Sequence, residues 1–152
     1  MPRLLKVAAV QVGAIDRKTS RSDVLDRLIS LLDKAAAQGV QLAVFPETTF
    51  TTFFPRYIIR DEAELETYYE QETPENGVVD SANVAPFFSH AKKLGIDVSI
   101  GYAEKTPEGK PYNTACYVSG SSGKVVAKYR KVHLPGTFEV IYYSNCILYD
   151  KK

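Results

Sequence analysis

Val40-Gln41-Leu42-Ala43-Val44-Phe45-Pro46-Glu47 is a short apolar run that a proline stops and a carboxylate follows. A run this short between turn residues reads as a buried strand, since helices need more residues. Just upstream, Val24, Leu25, Leu28, Leu31, Leu32, Ala35 and Ala36 recur at helical spacing, and Gly39 stands where a left-handed stop is expected. Ser20 or Ser22 can cap the start of that helix. Residues 4–12 are nearly all apolar, with Lys6 the one charge, and read as a strand buried on both faces. Strand, helix and strand joined by short connections make a βαβ unit, whose two strands lie parallel and adjacent. The chain is therefore read as α/β.

Downstream the pattern changes. Residues 47–60 are irregular and rich in aromatics, and Thr73-Pro74-Glu75-Asn76-Gly77 marks a turn-rich connection. A second amphipathic helix is expected over residues 82–94, ended by Gly95. Three alternating strands follow over 96–103, 112–118 and 125–129, joined by hairpin-type turns at 106–110 and 119–123. After Val140 no periodic core pattern continues, so residues 141–152 are read as a divergent tail.

Composition limits the classes of function. The chain has 152 residues, the size of one domain or a piece of a larger one, and 45% of them are apolar. A formal net charge of +1 gives no general attraction to nucleic acid or anionic membrane. No apolar run reaches the roughly 18–20 residues of a membrane span, and Lys6 interrupts the N-terminal apolar stretch, so neither a span nor a signal peptide is expected. Two cysteines make no disulfide framework, and a reducing, cytoplasmic setting is the expectation. The acidic stretch Asp61-Glu62-Ala63-Glu64-Leu65-Glu66, continued by Glu70, Glu72 and Glu75, reads as a solvated helix or loop. It lacks the turn glycine and staggered ligands of a calcium loop. With His90 and His133 the two histidines and no Cys-x-x-Cys, no metal site is expected.

Two residues stand where chemistry belongs. Glu47 directly follows a buried strand, and in open α/β sheets ligands collect outside the carboxyl ends of strands. Its proline and aromatic neighbours are expected to desolvate it and raise its pKa, toward a general-base role. Lys131 also stands at a strand end, before the Pro135-Gly136 turn, where a lysine can hold a developing oxyanion. Each taken singly is matched by an ordinary solvated side chain, and His133 by a structural histidine.

Together the segments resemble a known family. The strand–Pro46–Glu47 block and Tyr129-Arg130-Lys131-Val132-His133-Leu134 resemble the first two catalytic blocks of the carbon–nitrogen hydrolase (nitrilase) superfamily. Val7-Ala8-Ala9-Val10-Gln11, Gly101-Tyr102-Ala103-Glu104, Tyr112-Asn113-Thr114 and Gly123-Lys124-Val125-Val126 fit the same family in the same order. Thr51-Thr52-Phe53-Phe54-Pro55-Arg56 and Val132-His133-Leu134-Pro135-Gly136-Thr137 resemble its N-carbamoyl-D-amino-acid amidohydrolase branch.

The resemblance implies the N-terminal half of a nitrilase-like four-layer α-β-β-α sandwich, with residues 1–140 a partial hydrolase domain. It implies a cysteine–glutamate–lysine mechanism on a small ureido or amide substrate: Glu47 moves protons and Lys131 stabilises the oxyanion. His133, Phe53 and Thr51 would lie on the substrate side, and Glu139 would be a further active-site carboxylate. No metal or organic cofactor is implied. The family's cysteine block beyond the lysine has no counterpart here: Cys116 precedes Lys131 inside an expected strand, and Cys146 follows it by too few residues and without basic neighbours. Three readings stay open. One is a truncated hydrolase, inactive alone; the second is a non-catalytic half-sandwich that forms a homo-oligomer or pairs with a full-length homologue. The third keeps the enzyme class but changes the substrate to another amide, nitrile or ureido compound.

Overall fold

The computed structural model describes residues 4–133. The elements in chain order are β1 (Val7–Ala9), α1 (Arg21–Ala37), β2 (Leu42–Val44), α2 (Glu62–Glu66), β3 (Glu70–Gln71), α3 (Ala85–Leu94), β4 (Asp97–Lys105), β5 (Pro111–Val118) and β6 (Val125–Arg130). They form a single sheet in the order β1-β2-β4-β5-β6, with β3 alongside the far end of β4. β1 and β2 are parallel neighbours, as the βαβ reading requires; β4 is parallel to β2, and β4-β5-β6 is an antiparallel meander.

α1 starts where Ser20 accepts a hydrogen bond from the Asp23 N–H, which settles the choice between the two serines. α3 ends at Gly95, whose φ of 69° few side chains tolerate. The two helices pack on each other and on one face of the sheet. Val24, Leu28 and Leu32 from α1 and Phe87 from α3 are fully buried against Ala43, Val98, Ile100, Cys116 and Val118. Each large apolar side chain buried there contributes about 1.5–3 kcal/mol. Phe45, Phe50, Phe87 and Phe88 meet edge to face within that core, at centroid distances of 5.2–6.0 Å.

The strand register divides the side chains between two faces. Val7, Val44, Ala115 and Tyr129 alternate onto the face without helices and are exposed. Among the described residues the sheet therefore has one covered and one open face, the two layers expected of half a four-layer sandwich. This corrects the reading of residues 4–12 as a strand buried on both sides. β1 is three residues long at the sheet edge, Val7 is 50% exposed, and only Ala8 turns toward the helices.

A second correction concerns the acidic stretch. α2 is solvated, as expected, but Glu70 is buried beside Arg21 and Glu72 pairs with Lys128. The chain after α2 joins the sheet through β3, so alternate acids turn inward toward cations from distant segments. Sequence proximity alone showed no base near them.

Candidate active site

The site begins at the carboxyl end of β2. Phe45 N–H still bonds the Ser99 carbonyl at 2.8 Å, and then Pro46 ends the ladder. The chain turns sharply at Glu47-Thr48, with Thr48 at φ 46°, a left-handed conformation that a β-branched residue rarely adopts. Three hydrogen bonds hold that turn against β4: Gly101 N–H to the Pro46 carbonyl at 3.1 Å, Thr49 N–H to the Gly101 carbonyl at 2.8 Å, and the Thr49 hydroxyl to the Pro46 carbonyl at 2.6 Å. Gly101 is required here. A Cβ at that position would stand 2.7 Å from the Glu47 Cα and 2.9 Å from the Pro46 carbonyl oxygen.

The elbow brings Glu47 over the open face, beside the ends of β5 and β6. Lys131 leaves β6 with its N–H on the Asn113 carbonyl at 2.8 Å. Its Nζ donates to Glu47 Oε1 at 2.8 Å, and the Asn113 amide Nδ2 donates to the same oxygen. Glu47 Oε2 accepts no hydrogen bond from the described residues. The Glu47 side chain is 44% exposed and that of Lys131 29%, so the pair is open to a small molecule.

The charge state of Glu47 departs from the sequence expectation. Burial pushes its pKa up, but the hydrogen bonds from Lys131 and Asn113 and the lysine's charge outweigh it, so the net shift is downward. The carboxyl is ionised at neutral pH and can accept a proton.

Glu47, Lys131, Asn113, His133, Tyr129 and Ser99 line one cleft of about 430 Å³. Of the residues singled out from sequence, Glu47, Lys131 and His133 thus come together. Thr51 does not join them: it lines a separate cavity of about 270 Å³ with Arg17, Arg21, Glu64 and Tyr68. Phe53 is 38% exposed, next to a short 3₁₀ turn at Phe54–Arg56, and is not part of the Glu47 cleft. His90 faces elsewhere, with Nε2 2.7 Å from Asp33 Oδ1 between α3 and α1.

Cys116 is buried on the helix-covered face, and burial together with the Glu72 charge pushes its thiol up to about 12. It is a packing residue, as its strand position suggested. Cys146 and Glu139 lie outside the described residues. Among the described residues no group of three or more His, Cys, Asp or Glu side chains is arranged to hold a metal ion, and no helix is long and apolar enough to cross a membrane.

Sequence reasoning gave no role to Asn113 or Gly101. Both carried a signal. An asparagine inside an otherwise apolar and β-branched strand is out of place unless its amide has a partner. A glycine in a strand interior marks a close backbone approach.

Comparison with known proteins bears on the family and the fold. Residues 6–146 match the carbon-nitrogen hydrolase family. A nitrilase of Paraburkholderia phymatum is 32% identical over 135 residues, covering 86% of this chain and 37% of its own length. An omega-amidase of Xenopus laevis is 31% identical over 118 residues, covering 75% of this chain and 36% of its own length. The chain thus spans well under half of these relatives. The crystal structure of a carbon-nitrogen hydrolase from Helicobacter pylori superposes with a TM-score of 0.69 at 21% identity, over 91% of this chain and 43% of that one. That likeness bears on the fold. The match over nearly the whole sequence, on a sheet that ends in this glutamate elbow, places the chain in the carbon-nitrogen hydrolase family.

Proposed function

We propose that Glu47 and Lys131 are the proton-transfer and oxyanion-stabilising groups of a hydrolase that cleaves a C–N bond in a small N-carbamoyl-D-amino acid. The observation that carries this reading is the 2.8 Å contact between Lys131 Nζ and Glu47 Oε1 in an accessible cleft. In this scheme a cysteine from outside residues 4–133 gives its proton to Glu47 and its thiolate attacks the carbamoyl carbon. The tetrahedral oxyanion forms beside the Lys131 ammonium. The C–N bond then breaks, and the amine leaves with the proton that Glu47 held. Water, deprotonated by Glu47, hydrolyses the carbamoyl thioester and releases the cysteine; the resulting carbamate falls to carbon dioxide and ammonia.

The carbamoyl branch is supported by the 51–56 and 132–137 stretches of sequence. His133, in the cleft, is the substrate-side residue with geometric support; Thr51 and Phe53 take that role only in a more complete pocket. The names of the relatives favour a second substrate reading at the same site, an ω-amide or a nitrile. Residues 1–140 act in this account as a partial hydrolase domain with 141–152 as a tail. In this reading the 152-residue chain alone is inactive, because it holds no counterpart of the cysteine block that the resemblance implies. Pairing with a full-length homologue is the alternative use of the open sheet face.

The test is an ammonia-release assay on N-carbamoyl-D- and L-amino acids and ω-amides. The chain alone should show no turnover. The chain extended after Val140 by a family-type second half should hydrolyse one of these classes, and Glu47→Gln or Lys131→Ala should lower that rate by roughly a hundredfold or more. Undiminished activity in both variants refutes the role assignment. Turnover by the chain alone, lost on Cys146→Ala, would move the nucleophile to Cys146.

A further inference from the structure

On the other face of the same strands lies a second charged cluster that the scheme above does not use. Its centre is Glu104 on β4, with 0% exposure. Glu104 Oε2 accepts from the Thr114 hydroxyl at 2.5 Å and from Arg130 Nε at 3.1 Å. Oε1 accepts from Arg130 Nη2 at 2.5 Å and from Lys128 Nζ at 3.0 Å. Lys128 also donates to Glu72 at 2.7 Å, and the Arg130 guanidinium stacks over the Tyr112 ring at 4.0 Å. One buried carboxylate therefore stitches β4, β5 and β6 together.

What it holds is the end of β6. Thr114 and Arg130 are register partners, and the next step along each strand reaches Asn113 and Lys131, the two donors to Glu47. Alternation sends the cluster to the covered face and the donors to the open face. Apolar burial does little to fix this register, because β6 is an edge strand whose Val126 and Tyr129 are 65% and 61% exposed. Its pairing with β5 is already irregular near Tyr117 and Val118. A slip of one residue would carry Lys131 to the wrong face.

We propose that Glu104 is a positioning residue: by binding Arg130 and Lys128 it fixes the register of β6 and so presents Lys131 to Glu47. The functional meaning rests on the Glu47–Lys131 reading above. The test reads a titration instead of turnover, so an inactive chain still answers it. Among the described residues the titratable groups that share the cleft with Glu47 are Lys131, His133 and Tyr129; the residues that β4 and β5 bring to it, Ser99 to Gly101 and Asn113 to Ala115, carry no titratable side chain.

The experiment follows the Glu47 carboxyl by carbon NMR in the full 152-residue chain, with Lys131→Met giving the size of the effect when the lysine is lost. Arg130→Lys keeps the charge but removes the planar fork that grips Glu104. It should raise the Glu47 midpoint by about half a pH unit. Glu104→Gln should raise it too, although its direct electrostatic effect has the opposite sign, since removing a nearby negative charge favours ionised Glu47. A midpoint that stays put in folded Arg130→Lys, or that falls in folded Glu104→Gln, overturns the proposal. If Glu104→Gln does not fold, Arg130→Lys decides alone.

Discussion

Glu47 and Glu104 have much the same first partners and opposite situations. Each carboxylate accepts from a lysine of the β6 region and from a polar side chain of β5. Glu104 has both oxygens occupied and no exposure, whereas Glu47 is 44% exposed and keeps one oxygen without a donor among the described residues. A fully satisfied buried carboxylate is tied to its network and has no lone pair to offer. A partly satisfied one in an open cleft can accept a proton from an incoming group. The pKa of each is pulled below the ordinary glutamate range, so charge alone does not separate them. Access does.

The comparison can be broken most visibly through stability. Glu104→Ala leaves Arg130 without its carboxylate and Lys128 with only Glu72, and should cost about 3 kcal/mol in urea unfolding. The same change at Glu47, a solvent-screened pair, should cost less than about 1 kcal/mol. Equal losses would mean that Glu47 is as structural as Glu104.

A smaller effect sharpens the role of the elbow. Gly101→Ala places a methyl 2.7 Å from the Glu47 Cα, and overpacking of this kind costs roughly 1–3 kcal/mol. The variant should also lift the Glu47 titration midpoint, as the elbow is pushed away from Lys131. A melting temperature and a midpoint both equal to those of the parent chain would show that the loop gives way without strain.

Much of this was legible before any coordinates. The βαβ unit followed from residues 4–46, because a helical apolar stripe with a cap and a glycine stop between two apolar runs leaves few alternatives. Glu47 and Lys131 were legible as strand-end residues whose order resembles a family. The length of β1 was not legible. An apolar run shows that residues avoid water but not how many faces the fold covers, and here a single helix layer lies on the sheet. The downward shift of Glu47 was also hidden, because it depends on Asn113 and Lys131 arriving from strands far along the chain. For the same reason the inward turn of Glu70 and Glu72 could not be read from an acidic stretch with no base in it.

The most direct measurement is a titration of the Glu47 and Glu104 carboxyls side by side, by carbon NMR in the 152-residue chain. A depressed folded-state pKa means that stability is present above the unfolded value and is lost as pH falls through the folded one. The account predicts that Glu47 titrates reversibly in the folded chain, with a midpoint below the usual glutamate range of about 4–5. It predicts that Glu104 stays ionised until the chain unfolds in acid. Glu104 protonating first, in a still folded chain, or Glu47 titrating at or above the usual range, would contradict it.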